Sequence, residues 1–109
     1  QAGRARPDSP IPYNNIGLAL MRLGQLEEAE RVFQQGLDNT AEEAFGRGML
    51  LTNLGVLYRQ AGKDEEALGV LEDATGMHES VESVVNYAQA LIKAGDFNDA
   101  QIRLEGALS

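Results

Sequence analysis

Apolar positions recur along this chain at intervals of three and four, the spacing of amphipathic helices. Tyr13, Ile16, Gly17, Leu20 and Leu23 form one stripe, and Leu26, Ala29, Val32, Phe33 and Leu37 form a second. The two meet at Gly24. The skeleton then returns twice. Leu23 to Leu37, "LGQLEEAERVFQQGL", aligns with Ala61 to Thr75, "AGKDEEALGVLEDAT", and with Ala94 to Leu108, "AGDFNDAQIRLEGAL". Upstream, "YNNIGLALMRLG", "LTNLGVLYRQAG" and "VVNYAQALIKAG" align and bring Asn15, Asn53 and Asn86 into register. Each unit is therefore two helices joined at a glycine, and three units are predicted.

The predicted helix ends carry local signals. Pro12 suits a first turn, where a missing N–H costs little. Thr40 and Glu43 have capping-box spacing, and Asp96 is placed to cap the last helix. Glu27, Glu28, Asp64, Glu65 and Glu66 fall in first turns, where acids favour the helix dipole. Gly24, Gly62 and Gly95 fall at the turns, where a positive φ is cheap only for glycine.

Small residues recur at fixed places in each unit. Gly17, Gly55 and Ala88 on first helices, and Ala29, Ala67 and Ala100 on second helices, are expected to let a neighbouring backbone approach closely. Phe33, Leu71 and Leu104 fill the space between. Two short helices cannot bury such a face alone, but stacked copies can. The expected fold is an all-α, right-handed α-solenoid of three helix-turn-helix repeats.

These units resemble the tetratricopeptide repeat, whose pattern is W-x2-L-G-x2-Y, then A-x3-F, then P. Here it reads Tyr13, Ile16, Gly17, Leu20, Ala29, Phe33; then Leu51, Leu54, Gly55, Tyr58, Ala67, Leu71; then Val84, Tyr87, Ala88, Leu91, Ala100, Leu104. No tryptophan is present, and the pattern's proline is missing after the first two copies. The repeats are expected at 10–40, 41–76 and 77–109, with 1–9 either a leader or the tail of a preceding repeat. Pro7 and Ala2 fall where that tail's proline and small residue belong, which makes the chain read as part of a longer array.

The spacing is uneven: 38 residues from Gly17 to Gly55, then 33 from Gly55 to Ala88. Against a repeat of ~34 residues, the excess falls between Asp38 and Met49. With Thr40 as cap, the first helix of repeat two is expected from about Ala41 to Gln60. Gly46 and Gly48 would then lie inside it, each costing ~1 kcal/mol relative to alanine, so a bend or a close contact is expected there.

In this family the first helices line a concave groove that commonly takes an extended peptide or a helix. The resemblance places Asn14, Leu18 and Met21, then Met49, Thr52, Asn53, Val56 and Arg59, then Val85, Asn86, Gln89 and Ile92 on that groove, flanked by Ile11 and Glu82. The apolar members should be partly exposed partner contacts, unless a neighbouring repeat or residues 1 to 10 cover them. Some members hold a C-terminal carboxylate with a clamp of lysine, arginine and asparagine. The matching positions here are Asn14, Leu18, Asn53, Glu82 and Asn86, and only Asn53 agrees, so that clamp is rejected. The three aligned asparagines, Asn15, Asn53 and Asn86, can bond a peptide backbone or, equally, an adjacent helix. Arg22, Arg59 and Lys93 form either a basic rim for an acidic partner or a set of cations favoured at helix C-termini.

Composition narrows the function classes. The chain has 109 residues, 43% apolar, with 17 acids against nine bases and a net charge of −8. That balance argues against nucleic acid, whose binding needs clustered Lys and Arg. There is no cysteine, hence no disulfide or thiolate site, and cytoplasmic and periplasmic settings fit equally. Gln1 is not followed by a signal-like segment, and no apolar run reaches membrane-spanning length.

Enzymatic chemistry has little to stand on. His78, the only histidine, is read as an exposed turn residue, with no second histidine or cysteine for a metal. The acids of "DFND" (Asp96 to Asp99) lack a calcium loop's alternation and glycine, and "GRG" (Gly46 to Gly48) lacks a phosphate loop's lysine and strand. No cofactor is expected. The reading is a non-catalytic scaffold binding a peptide or helix of another protein. Two alternatives are self-association through uncapped repeat ends around Ile102, Leu104 and Leu108, and a regulatory part of a larger enzyme.

Overall fold

The structure, a computed structural model, describes residues 9–40, 46–77 and 80–108. Six helices follow in chain order: α1 (Pro10–Arg22), α2 (Leu26–Asn39), α3 (Arg47–Gln60), α4 (Asp64–Met77), α5 (Val81–Lys93) and α6 (Phe97–Ala107). Each helix packs on the next, and α3 also touches the other first helices, α1 and α5. The molecule measures 49 × 30 × 18 Å, and its short dimension is less than two helix diameters of ~10–12 Å. It is a slab of paired helices, with α1, α3 and α5 on one side and α2, α4 and α6 on the other. This is the all-α helical-repeat solenoid that the periodicity predicts.

The three hairpin turns repeat one device. Gly24, Gly62 and Gly95 have φ of +80°, +80° and +90°, a region costly for any residue with a Cβ. The residue after each glycine donates its N–H back into the preceding helix, as Gln25 does to Leu20 O at 2.9 Å. That closes α1 on α2, α3 on α4 and α5 on α6 with the carbonyls of the last turn satisfied.

The core runs through the middle of the slab. Ala29, Phe33, Leu50, Leu54, Ala67, Leu71 and Ala74 have no exposed surface, and Leu57 and Val84 almost none. Close approach at Gly17 and Gly55 is used by side chains rather than by backbone. A Cβ on Gly17 would overlap the ring of Phe33, and one on Gly55 would overlap Leu71. The second helix of each of the first two pairs thus inserts a knob into a gap on its own first helix.

Local expectations are corrected at Thr40, at the start of α3, and at Ile16 and Leu23. Thr40 does not open α3: it ends α2, in extended backbone, and its hydroxyl donates to Gly36 O at 2.9 Å. Its proposed partner Glu43 lies outside the described residues, as does His78. α3 begins at Arg47 rather than Ala41, so Gly46 precedes the helix instead of interrupting it. Of the bend and the close contact foreseen there, the contact is present, because a Cβ on Gly46 would overlap Pro10. Finally, Ile16 and Leu23 are 53% and 71% exposed, not core, because no described helix packs on that side of α1.

Capping follows the sequence at Asp96, whose carboxylate accepts the Asp99 N–H at 3.3 Å. At α5, Ser80 and Ser83 form a reciprocal capping box, each side chain accepting the other's backbone N–H at 3.1 and 2.9 Å. The S-x-x-S pattern was available in the sequence, but serine in place of the usual Glu or Gln hid it.

Candidate functional site

The first-helix side of the slab is held together by side-chain amides. Asn53 Nδ2 donates to Asn14 Oδ1 at 2.5 Å, linking α3 to α1. Arg59 Nη1 donates to Gln89 Oε1 at 3.0 Å and, more weakly, to Asn86 Oδ1 at 3.5 Å, linking α3 to α5. Asn86 Nδ2 turns back to Glu82 O at 3.0 Å. The asparagines therefore bond to adjacent helices in part, the second of the roles open to them.

Between these links is a cleft of about 420 Å³ where α1, α3 and α5 meet, lined by Asn14, Leu18, Gly48, Met49, Thr52, Asn53, Ser80, Glu82 and Ser83. Its volume falls within the ~300–1,000 Å³ of small-ligand pockets, and it is open enough to take a side chain of a partner. Ser80, Glu82 and Ser83 line it from the start of α5, whose first turn the capping box orders.

The structure thus brings Asn14, Leu18, Met49, Thr52 and Asn53 together at the cleft, and Arg59, Asn86 and Gln89 together nearby. Leu18, Met21, Asn53, Val56, Arg59, Val85 and Asn86 are half-buried, while Met49, Gln89 and Ile92 are exposed. Asn14 and Thr52 are more buried than a contact residue needs to be. Thr52 spends its hydroxyl on Gly48 O of its own helix at 2.9 Å. Met21, Val56, Val85 and Ile92 do not line this cleft; they lie on the first helices α1, α3 and α5.

A continuous basic rim is not present. Arg59 bonds to Gln89 of α5, but Lys93 lies 3.8 Å from Asp64 in an exposed pair, and Arg22 lines a separate hollow with Asn15, Leu18, Ala19 and Leu23. The acids of the second helices are mostly exposed, as expected for a solvated outer face. Glu30, Asp64 and Asp99 are the exceptions, being half-buried, and Glu30 accepts the Tyr58 hydroxyl at 2.8 Å. Among the described residues, no group of three His, Cys, Asp or Glu is placed to hold a metal ion, and no helix is long and apolar enough to cross a membrane.

A family model described as tetratricopeptide repeat matches residues 8–80. The chain belongs to the tetratricopeptide repeat family. It is 36% identical over 72 residues to Regulatory protein RapG of Bacillus subtilis (strain 168), a match covering 64% of this chain and 20% of RapG. The chain thus spans about a fifth of that relative's length. Among solved structures it is similar to BtubC (BKLC) from P. vanneervenii, with a TM-score of 0.83 and 21% identity over 90% of this chain and 44% of that one. It is also similar to the second TPR of Spaghetti (RPAP3) bound to the HSP90 peptide SRMEEVD, with a TM-score of 0.80 and 20% identity over 91% and 89% of the two chains. At these identities the two structures speak for the fold. The tetratricopeptide fold is that of a protein–protein interaction scaffold, typically non-catalytic.

Proposed function

We propose that this tetratricopeptide domain is non-catalytic and binds a peptide or helical segment of a partner protein along the side formed by α1, α3 and α5. The observation that carries the reading is the cleft where these helices meet, with half-buried Leu18 and exposed Met49 at its wall. Apolar side chains left partly open beside unspent amides can exclude water from a partner and fix its register. The peptide complex of the RPAP3 domain supports the general mode. The test is Val56→Glu combined with Val85→Glu, which places two charges at half-buried positions of the first helices α3 and α5. Partner capture should be lost while helicity and melting are unchanged; undiminished capture would sink the reading.

A second reading, self-association, is favoured by one comparison of equivalent positions. Leu37 and Thr75 end second helices and are each 8% exposed beneath the following repeat, whereas Leu108 in the same register is 88% exposed. At the other end, Leu54 and Tyr87 are 0% and 6% exposed, and their counterpart Ile16 is 53% exposed. A second copy stacked head to tail would bury both faces in the way the internal junctions do. Leu108→Asp should then lower the solution mass measured by light scattering over a dilution series. A wild-type chain that stays monomeric throughout discards this reading.

A further inference from the structure

Charge is divided between the two sides of the slab. The first helices carry Arg22, Arg47, Arg59 and Lys93 against one acid, Glu82. The second helices reverse this: α4 alone holds Asp64, Glu65, Glu66, Glu72 and Asp73, with no Lys or Arg. The slab is 18 Å thick, and the Debye length at physiological salt is ~8 Å. The outer acids are therefore largely screened from the groove, and the net charge of −8 does not describe the surface a partner meets.

Three of the four cations are accounted for elsewhere. Arg47 donates to Leu37 O at 2.6 Å and ties α3 to the end of α2. Lys93 is near Asp64, and Arg22 lies off the groove. Arg59 differs. It is half-buried in the groove wall, and no carboxylate pairs with it among the described residues. Its Nη1 is taken by two neutral amide oxygens of α5, which fix the plane of the guanidinium. Its Nη2 and Nε donate to no described group. A guanidinium held this way presents an unused edge that fits a carboxylate with two parallel hydrogen bonds.

Resting on the groove reading above, we infer that the partner segment carries an Asp or Glu side chain that pairs with Arg59, set apart from an apolar residue seated in the cleft beside Leu18 and Met49. The spacing follows from the helix. Ten residues separate Met49 from Arg59, about 15 Å along α3, which an extended chain covers in four to five residues at ~3.3 Å each. Glu82, seven residues before Gln89 on α5 and so about 10 Å back along that helix, lines the cleft and repels an acid placed at that end. The acid and the apolar anchor are thus not interchangeable, and the bound segment has a defined direction.

The experiment is selection from a random displayed peptide library against the whole chain, followed by titration of the enriched peptides. Enriched sequences should hold Asp or Glu four to five residues from an apolar anchor. Changing that acid to its amide should weaken binding at least ~10-fold. Arg59→Gln, with helicity checked, should make the acid and amide peptides bind alike, and Arg59→Lys should keep part of the preference. Enriched peptides that lack an acid yet are lost with Val56→Glu and Val85→Glu would leave the groove standing and overturn the Arg59 pairing. So would an unchanged preference in Arg59→Gln, or a requirement for a free C-terminal carboxylate. No enrichment, or binding indifferent to the two groove substitutions, overturns the groove reading and this inference together.

Discussion

The Tyr58 hydroxyl donates to Glu30 Oε2 at 2.8 Å, joining the second helix of one repeat to the first helix of the next. Tyr58 is 7% exposed and Glu30 half-buried, so water competes poorly for the phenol and less poorly for the carboxylate. Hydrogen bonds to a charged group contribute about 1.5–3 kcal/mol. A double-mutant cycle of Tyr58→Phe and Glu30→Gln, read by chemical denaturation, should give a coupling energy of about 1–3 kcal/mol. Additive single effects would mean that the junction is held by apolar packing alone.

The same bond predicts an alkaline limit. Burial first, and the Glu30 hydrogen bond second, raise the Tyr58 phenol above its ordinary value of 10.0. Tyr87 is raised as well, by burial first and by the charge of Glu72 second. A raised folded value favours the protonated phenol, so this stability is complete below the unfolded value and is lost as pH climbs through the folded one. Melting temperature should therefore fall above pH ~10, and fall less steeply in Tyr58→Phe with Tyr87→Phe. Equal slopes would refute the linkage.

Gly17→Ala should destabilise the fold despite alanine's better helix propensity. The gain is up to ~1 kcal/mol; the overlap with the fully buried Phe33 ring costs about 1–3 kcal/mol. Repeat three has Ala88 with Leu104 at the same positions. Adding Phe33→Leu to Gly17→Ala should consequently recover stability relative to Gly17→Ala alone. A further loss in the double variant would show that the ring is not the obstacle.

Two polar features near α5 should differ in weight. Ser80→Ala removes a capping box and should cost about 1 kcal/mol. Lys93→Ala removes a 3.8 Å pair whose side chains are 54% and 41% exposed, and solvent screening leaves it worth well under 1 kcal/mol. Denaturation of both variants in parallel tests the ranking, and a larger loss from Lys93→Ala would reverse it.

What the sequence determined on its own is what adjacent residues decide. The glycine turns at Gly24, Gly62 and Gly95, the cap at Asp96 and the period of the apolar stripes each depend on the residues within one or two helical turns, and each is realised. Repetition then supplied the fold, because three copies in one phase can bury their faces only by stacking. Tertiary structure decided what depends on neighbours distant in the chain. Ile16 and Leu54 have the same repeat register, but among the described residues only Leu54 has a helix packed over it. The Thr40 hydroxyl can accept from the helix that follows or donate to the one that precedes, and it donates to Gly36 O of the helix ending at Asn39. Arg22, Arg59 and Lys93 look alike near the ends of first helices, yet only Arg59 meets amide oxygens from the next repeat across the groove. A helical pattern fixes which residues share a face; what that face meets is set by the packing of the whole stack.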